Sequence, residues 1–284
     1  MSDPVINLDH LREWVGRNRL VEDMLAPFPA QALAAALDRE DILAVGDALP
    51  AARHWLYFLE TPKGSATGGD GHAKLGGFLP PVPLARRMWA SGRLDFLSPL
   101  VFGQPAVRKT VVNAVEAKSG KTGSLVFVTL EHEMSQQEQL CIREEQNLVY
   151  RDMPSGPAPL ASGTEEPLKA DFSRIVYPDP VLLFRFSALT YNGHRIHYDR
   201  PYAMEREFYP ALVVHGPLLA TLLLDLLHDV LPDALVQSFS FRALRPTFDT
   251  SLLTLNGRRD GDVVTLWSAD VDSQIGMSAT ARLA

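Results

Sequence analysis

Residues 218–227 (LLATLLLDLL) constrain the fold of this chain more than any other stretch, because they are apolar almost all the way round a helical wheel. A surface helix keeps a polar face, so a helix of this kind has to be enclosed by other structure. The run is interrupted by Thr221 and Asp225 and is shorter than the ~20 apolar residues that span a bilayer. Gly216-Pro217 stands immediately before it, and proline is favoured at the first helical position. The enclosing structure is legible on both sides. Residues 107–116, 123–134 and 139–150 are rich in β-branched and aromatic residues with partial alternation, and the turn at 118–123 joins the first two as a hairpin. Behind the helix come strand-like runs at 236–244, 251–259, 262–271 and 277–283, with Asp260-Gly261 as a hairpin turn. The layout is α+β, a long antiparallel meander wrapping a buried helix.

The remaining segments set the organisation. Val5, Leu8, Leu11, Trp14 and Val15 recur every three to four residues, which predicts an amphipathic helix over 5–18. Pro27 and Pro29 mark a break before a second helix at 30–37. Residues 55–59 form a short aromatic run, strand or helix, and residues 63–77 hold six glycines and read as a loop. A short helix is expected over 84–90, closed by Gly92, and a strand over 182–190. Residues 153–167, dense in Pro, Gly, Ser and Ala, read as a linker between an N-terminal half (1–152) and a C-terminal half (168–284). The first half has no helix comparable to 218–227, so as a copy of the second it is degenerate.

At 284 residues the chain can bury a full core. A net charge of −7 and a pI near 5.6 argue against nucleic acid, which needs a basic face. Cys141 is the single cysteine, lies in a strand-like run, and reads as a buried thiol rather than a nucleophile. With no intramolecular disulfide and no apolar leader segment, the expected location is the cytoplasm, without membrane attachment. Neither a GxGxxG nor a P-loop is present.

The polar chemistry concentrates at 184–203, FRFSALTYNGHRIHYDRPYA. An Asn192-Gly193 turn is followed by His194, His197 and Asp199, and His215-Gly216 lies eighteen residues after His197. A histidine is suited to proton transfer at neutral pH. The free N–H groups at the start of the following helix can stabilise a developing negative oxygen. The same spacing also admits a metal site built from His194, His197, Asp199 and His215. Asp199 has a simpler reading as the cap of a helix beginning at Arg200.

These residues resemble the MaoC-like hydratases, or hydratase 2 family. Their motif is Gly-Asp-x-Asn-Pro-(Ile/Leu)-His-x-Asp-Pro-x-x-Ala, followed by a His-Gly that opens a central helix. His197 falls on the family's catalytic histidine, Asp199 on its second acid, and His215-Gly216 on the helix start. Asn192 stands where the family carries a catalytic aspartate, and His194-Arg195 replaces its Asn-Pro. The sequence SALTYNGHRIHYD, with LPPVPLARRMWASG near residue 79, is similar to a branch holding fungal-type mitochondrial 3-hydroxyacyl-thioester dehydratases and bacterial itaconyl-CoA (mesaconyl-C4-CoA) hydratases. The resemblance implies a double hotdog fold and hydration of an enoyl-CoA double bond, most specifically that of mesaconyl-C4-CoA to citramalyl-CoA in itaconate breakdown. It implies His197 as base and then acid, Asn192 as orienter of water or thioester, and the Gly216 N–H as an oxyanion donor. It further implies no metal and no cofactor beyond the CoA of the substrate.

For the CoA phosphates or a substrate carboxylate, the candidate cations are Arg86, Arg87, Arg93, Arg242 and Arg245, with His194, Asp199 and His215 as further contacts. Three other activities share these features: a 3-hydroxyacyl-thioester dehydratase of fatty-acid synthesis, a hotdog thioesterase, and a non-catalytic acyl-CoA binder. Two halves in one chain can satisfy sheet pairing internally, and a further homodimer stays open.

Overall fold

The computed structural model describes residues 6–120, 123–157, 160, 163–164 and 169–284; the expected 118–123 turn, the 153–167 linker and Val5 lie partly or wholly outside these. In the first half, helix α1 (Leu8–Arg12) precedes strand β1 (Asn18–Met24) and helix α2 (Pro27–Ala36). Strands β2 (Arg86–Phe96), β3 (Pro105–Gly120), β4 (Gly123–Gln136) and β5 (Gln139–Arg151) follow. The second half holds β6 (Phe172–Val176), then helices α3 (Pro180–Leu189), α4 (Arg200–Glu205) and α5 (Gly216–Val230). It closes with β7 (Val236–Ala243), β8 (Leu253–Asp260), β9 (Val263–Ala269) and β10 (Ile275–Leu283).

Among the described residues, all ten strands belong to one antiparallel sheet ordered β1-β3-β4-β5-β2-β7-β10-β9-β8-β6. The halves meet where β2, paired with β5 on one edge, pairs with β7 on the other. Helix α5 packs against β6, β8, β9 and β10. Its leucines 218, 219, 222, 223, 224, 226 and 227 are all buried, each worth roughly 1.5–3 kcal/mol of apolar burial. Asp225, the charge in this apolar run, is buried in an ion pair with the equally buried Arg53 at 2.8 Å. That pair ties α5 to the first half, and removing either partner would strand the other. The first half's α2 is a ten-residue helix whose buried face is Ala30, Leu33 and Ala34, a smaller counterpart of α5. This is the α+β double hotdog arrangement, with the degenerate copy first.

Several local expectations are corrected. Residues 84–90 are not a helix: they lead into β2, and a Cβ at Gly92 would sit 2.8 Å from the Phe241 ring. Gly92 therefore admits a close neighbour across β2 and β7 rather than closing a helix, and pairing on both edges decides the strand. Residues 182–190 are not a strand. Asp179 caps α3 by accepting the Leu182 N–H at 2.8 Å, and Pro180 follows at the first position. That N-terminal signal outweighs the aromatic content of the segment. The helix over 5–18 is confined to Leu8–Arg12, and the 55–59 run begins in a 3₁₀ turn at Arg53–Leu56. Strands β1 and β6 went unread. Among the described residues no helix is long and apolar enough to cross a membrane.

Candidate active site

Between α3 and α5 the chain makes a short irregular excursion along the mouth of a large cavity, about 1580 Å³ in volume. Tyr191 takes a left-handed φ of 49° and the Asn192 N–H returns to Ser187 O at 2.8 Å, ending α3. The Asn192 Oδ1 accepts the His194 N–H at 3.0 Å, which shapes the turn and leaves the amide NH₂ for a ligand. A 3₁₀ turn, Arg195–His197, then delivers His197 inward.

His197 is buried, and its Nδ1–H donates to the Val213 carbonyl at 2.7 Å. That bond sets the tautomer, so Nε2 carries the lone pair. Its ring stacks on His215 with centroids 3.7 Å apart and planes 17° apart. The His215 Nε2 pairs with the buried Ser187 hydroxyl at 2.8 Å. Burial, then the neighbouring His215 and His194, hold His197 well below the ordinary histidine pKa. Burial likewise pushes His215 down to about 3. Both imidazoles are therefore neutral at neutral pH, and His197 is a base ready to accept a proton. Gly216 opens α5 beside them, with the Trp89 carbonyl and the Met277 methyl about 4 Å from where a Cβ would stand (3.8 and 4.0 Å). Its N–H has no partner within the helix and lies at the positive dipole end.

His194 is buried and points Nε2 at Glu207 Oε1, 3.2 Å away. Glu207, itself buried, also takes the Arg86 Nε at 3.1 Å, and Arg86 stacks over Tyr209 at 4.5 Å. Arg86 is thus committed to the wall of the cavity. Arg87 lines the cavity without a carboxylate partner among the described ion pairs. Arg245 lines it while bonded to Asp270 at 3.1 Å. Arg93 is exposed, pairs with Asp95 at 2.9 Å and lies outside the lining, as does exposed Arg242. Asp199 also lies outside it: the side chain caps α4 through the Tyr202 N–H at 3.1 Å and pairs with Arg195 at 2.8 Å. That geometry assigns Asp199 to the simpler capping role.

The glycine-rich loop closes over this turn. Arg195 N donates to Asp70 O at 2.9 Å and its Nη1 to Gly69 O at 3.0 Å. Gly71 and Gly193 meet backbone to backbone: a Cβ on Gly71 would fall 1.8 Å from Gly193 O. The loop thereby brings in His72, whose ring lies 4.1 Å from that of His194. Among the described residues, Asp70, His72 and His194 form one group whose ligand-type atoms lie within 4.8 Å of one another. Sequence reading missed His72, Asp70, Ser187 and Glu207. Only the DGH tripeptide at the loop's centre was a local signal; the others are brought in by distant chain.

The family model for hydroxyacyl-thioester dehydratase type 2 matches residues 52–249. A mesaconyl-C(4)-CoA hydratase of Chloroflexus aurantiacus is 46% identical over 272 residues, covering 95% of this chain and 96% of the relative. The mitochondrial hydroxyacyl-thioester dehydratase type 2 of Schizosaccharomyces pombe is 29% identical over 245 residues, 77% of this chain and 81% of the relative. In fold the chain is similar to a Mycobacterium tuberculosis protein described as a double hotdog. The TM-score is 0.57 at 15% identity, over 95% of this chain and 96% of that one.

Proposed function

The chain belongs to the hydroxyacyl-thioester dehydratase type 2 family, and from that premise we propose that it is a hydro-lyase adding water to mesaconyl-C4-CoA to give citramalyl-CoA. The observation that carries the chemistry is His197, buried, neutral and held by Val213 so that Nε2 is an acceptor, beside the α5 N-terminus. Nε2 of His197 takes a proton from water as the water oxygen bonds to the β-carbon, and the π electrons move onto the thioester oxygen. The Gly216 N–H holds that oxygen. The imidazolium then returns its proton to the α-carbon as the enolate collapses. Asn192 orients water or thioester through its NH₂, and no cofactor is required.

The substrate rests on the Chloroflexus relative and on the cavity lining. Arg87 lines the cavity without a carboxylate partner among the described ion pairs, which suits an acyl group that carries a carboxylate. A place in itaconate breakdown follows from that substrate, and a cytoplasmic location is supported by the lone buried thiol Cys141. The test is incubation with mesaconyl-C4-CoA and crotonyl-CoA, following enoyl absorbance and free thiol together. Loss of the enoyl signal without thiol release is expected; thiol release would make the protein a thioesterase. His197→Ala should abolish turnover, while Asn192→Asp keeps part of it.

A further inference from the structure

The proton-transfer group so far identified is a histidine, and the turn residue beside it, Asn192, offers an amide whose oxygen is already engaged by the His194 N–H. A hydration site also has to hold the attacking water in line, which takes a second acceptor, since water presents two O–H groups. The glycine-rich loop supplies a group of the right kind. His72 Nδ1 lies 3.0 Å from Asp70 Oδ2, and the His72 backbone N–H also donates to Asp70 Oδ1 at 3.0 Å. Asp70 therefore fixes ring and tautomer together and leaves the His72 Nε2 as an acceptor. Val213 imposes the same state on His197.

The two imidazoles flank one residue. The His194 ring lies 4.1 Å from that of His72, tilted by 38°, and stands edge-on to His197 at 5.5 Å, and all three line the same cavity. The loop is docked to the catalytic turn through Asp70 itself, by the Arg195 N–H on the Asp70 carbonyl. Asp70 thus anchors the loop with its backbone and aims His72 with its side chain. Burial, opposed by the Asp70 bond, and the charge of nearby Arg87 lower the His72 pKa to about 3. The ring is consequently an unprotonated acceptor in the working enzyme. Arg87 next to His72 also makes this end of the cavity a poor place for a metal cation and a good one for a carboxylate.

We propose that His72, aimed by Asp70, is a second catalytic residue: its Nε2 accepts a hydrogen bond from the attacking water while His197 takes the proton. This rests on the hydration reading above. His72 neither gains nor loses a proton in the step. The O–H that the water retains stays bonded to Nε2 as it becomes the product hydroxyl, and the reverse reaction uses the same contact to hold the departing oxygen. Asp70 is a positioning residue.

The test compares His72→Ala, His72→Gln and Asp70→Asn in the full-length protein with an enoyl-CoA. Losing a water-orienting contact should lower kcat about 100-fold in His72→Ala with KM within threefold. Glutamine at 72, which restores an acceptor oxygen, should recover at least tenfold of that. Asp70→Asn should fall between the two. Thermal unfolding and circular dichroism establish that each variant is folded. A folded His72→Ala with near-normal kcat, in an enzyme that His197→Ala inactivates, overturns this role and leaves the hydration reading intact. A wild-type protein that hydrates no enoyl-CoA overturns both. Activity that is lost to a chelator and restored by Zn²⁺ would make Asp70, His72 and His194 metal ligands instead, which also overturns it.

Discussion

Replacing Gly71 by alanine isolates the contribution of the glycine-rich loop, because the contact it breaks is between two backbones. Gly71 has φ +92°, and a Cβ there would lie 1.8 Å from Gly193 O and 2.7 Å from Gly193 C. The left-handed conformation alone costs an L-residue about 1–2 kcal/mol. Ordinary contact to a carbonyl oxygen needs ~3.4 Å or more, so the loop would have to lift by roughly 1.5 Å. Such a shift breaks the Arg195 N–H bond to Asp70 O and the Arg195 Nη1 bond to Gly69 O, each worth about 0.5–1.5 kcal/mol. Together these cost the closed loop about 2–5 kcal/mol. A displacement of that size at a reacting centre lowers turnover about 100-fold. The melting temperature should move little, because the loop contributes none of the residues buried in the large core. The assays are steady-state hydration and limited trypsinolysis at Lys63 and Lys74, which should accelerate. Gly69→Ala is the control: its added Cβ meets nothing within 4 Å. Full activity and unchanged cleavage in Gly71→Ala, or equal losses in the two variants, would refute the reasoning.

Because the pKa of His197 is depressed below 6.5, kcat/KM should stay level as pH falls through 6.5 and decline only at lower pH; an acid limb centred at 6.5 or above contradicts the burial argument. His215 is lowered to about 3, so between 6.5 and 3 the unfolded chain binds the extra proton and stability is lost as pH falls. The maximal slope is about 1.4 kcal/mol per pH unit for that group, and denaturation midpoints that do not change from pH 7.5 to 4.5 would contradict it. Arg87→Leu should cost mesaconyl-C4-CoA about 10- to 150-fold in kcat/KM, the equivalent of about 1.5–3 kcal/mol for a charge-assisted contact. Crotonyl-CoA, which has no carboxylate, should be affected less than threefold; equal losses on both would remove Arg87 as the carboxylate partner.

The sequence by itself determined what is carried by local periodicity and short spacing. The all-round apolar run at 218–227 had to be enclosed, and α5 is. The strands from β3 to β5 and from β7 to β10 were legible from alternation and turns. So was the proximity of His197 to Gly216, since a short segment joins them. What only the tertiary structure decided is whatever depends on partners far along the chain. β2 reads as helix until β5 and β7 pair with both its edges. Arg86 is a plausible phosphate ligand until Glu207, 121 residues away, claims it. The same holds for the loop at 63–77. Six glycines predict a loop, but not that one of them, Gly71, has to face Gly193 so that one backbone can rest on another and bring His72 beside His194. Hydrogen bonds and close contacts between distant segments impose no period on the sequence, so the residues that make them look unremarkable until the fold brings them together.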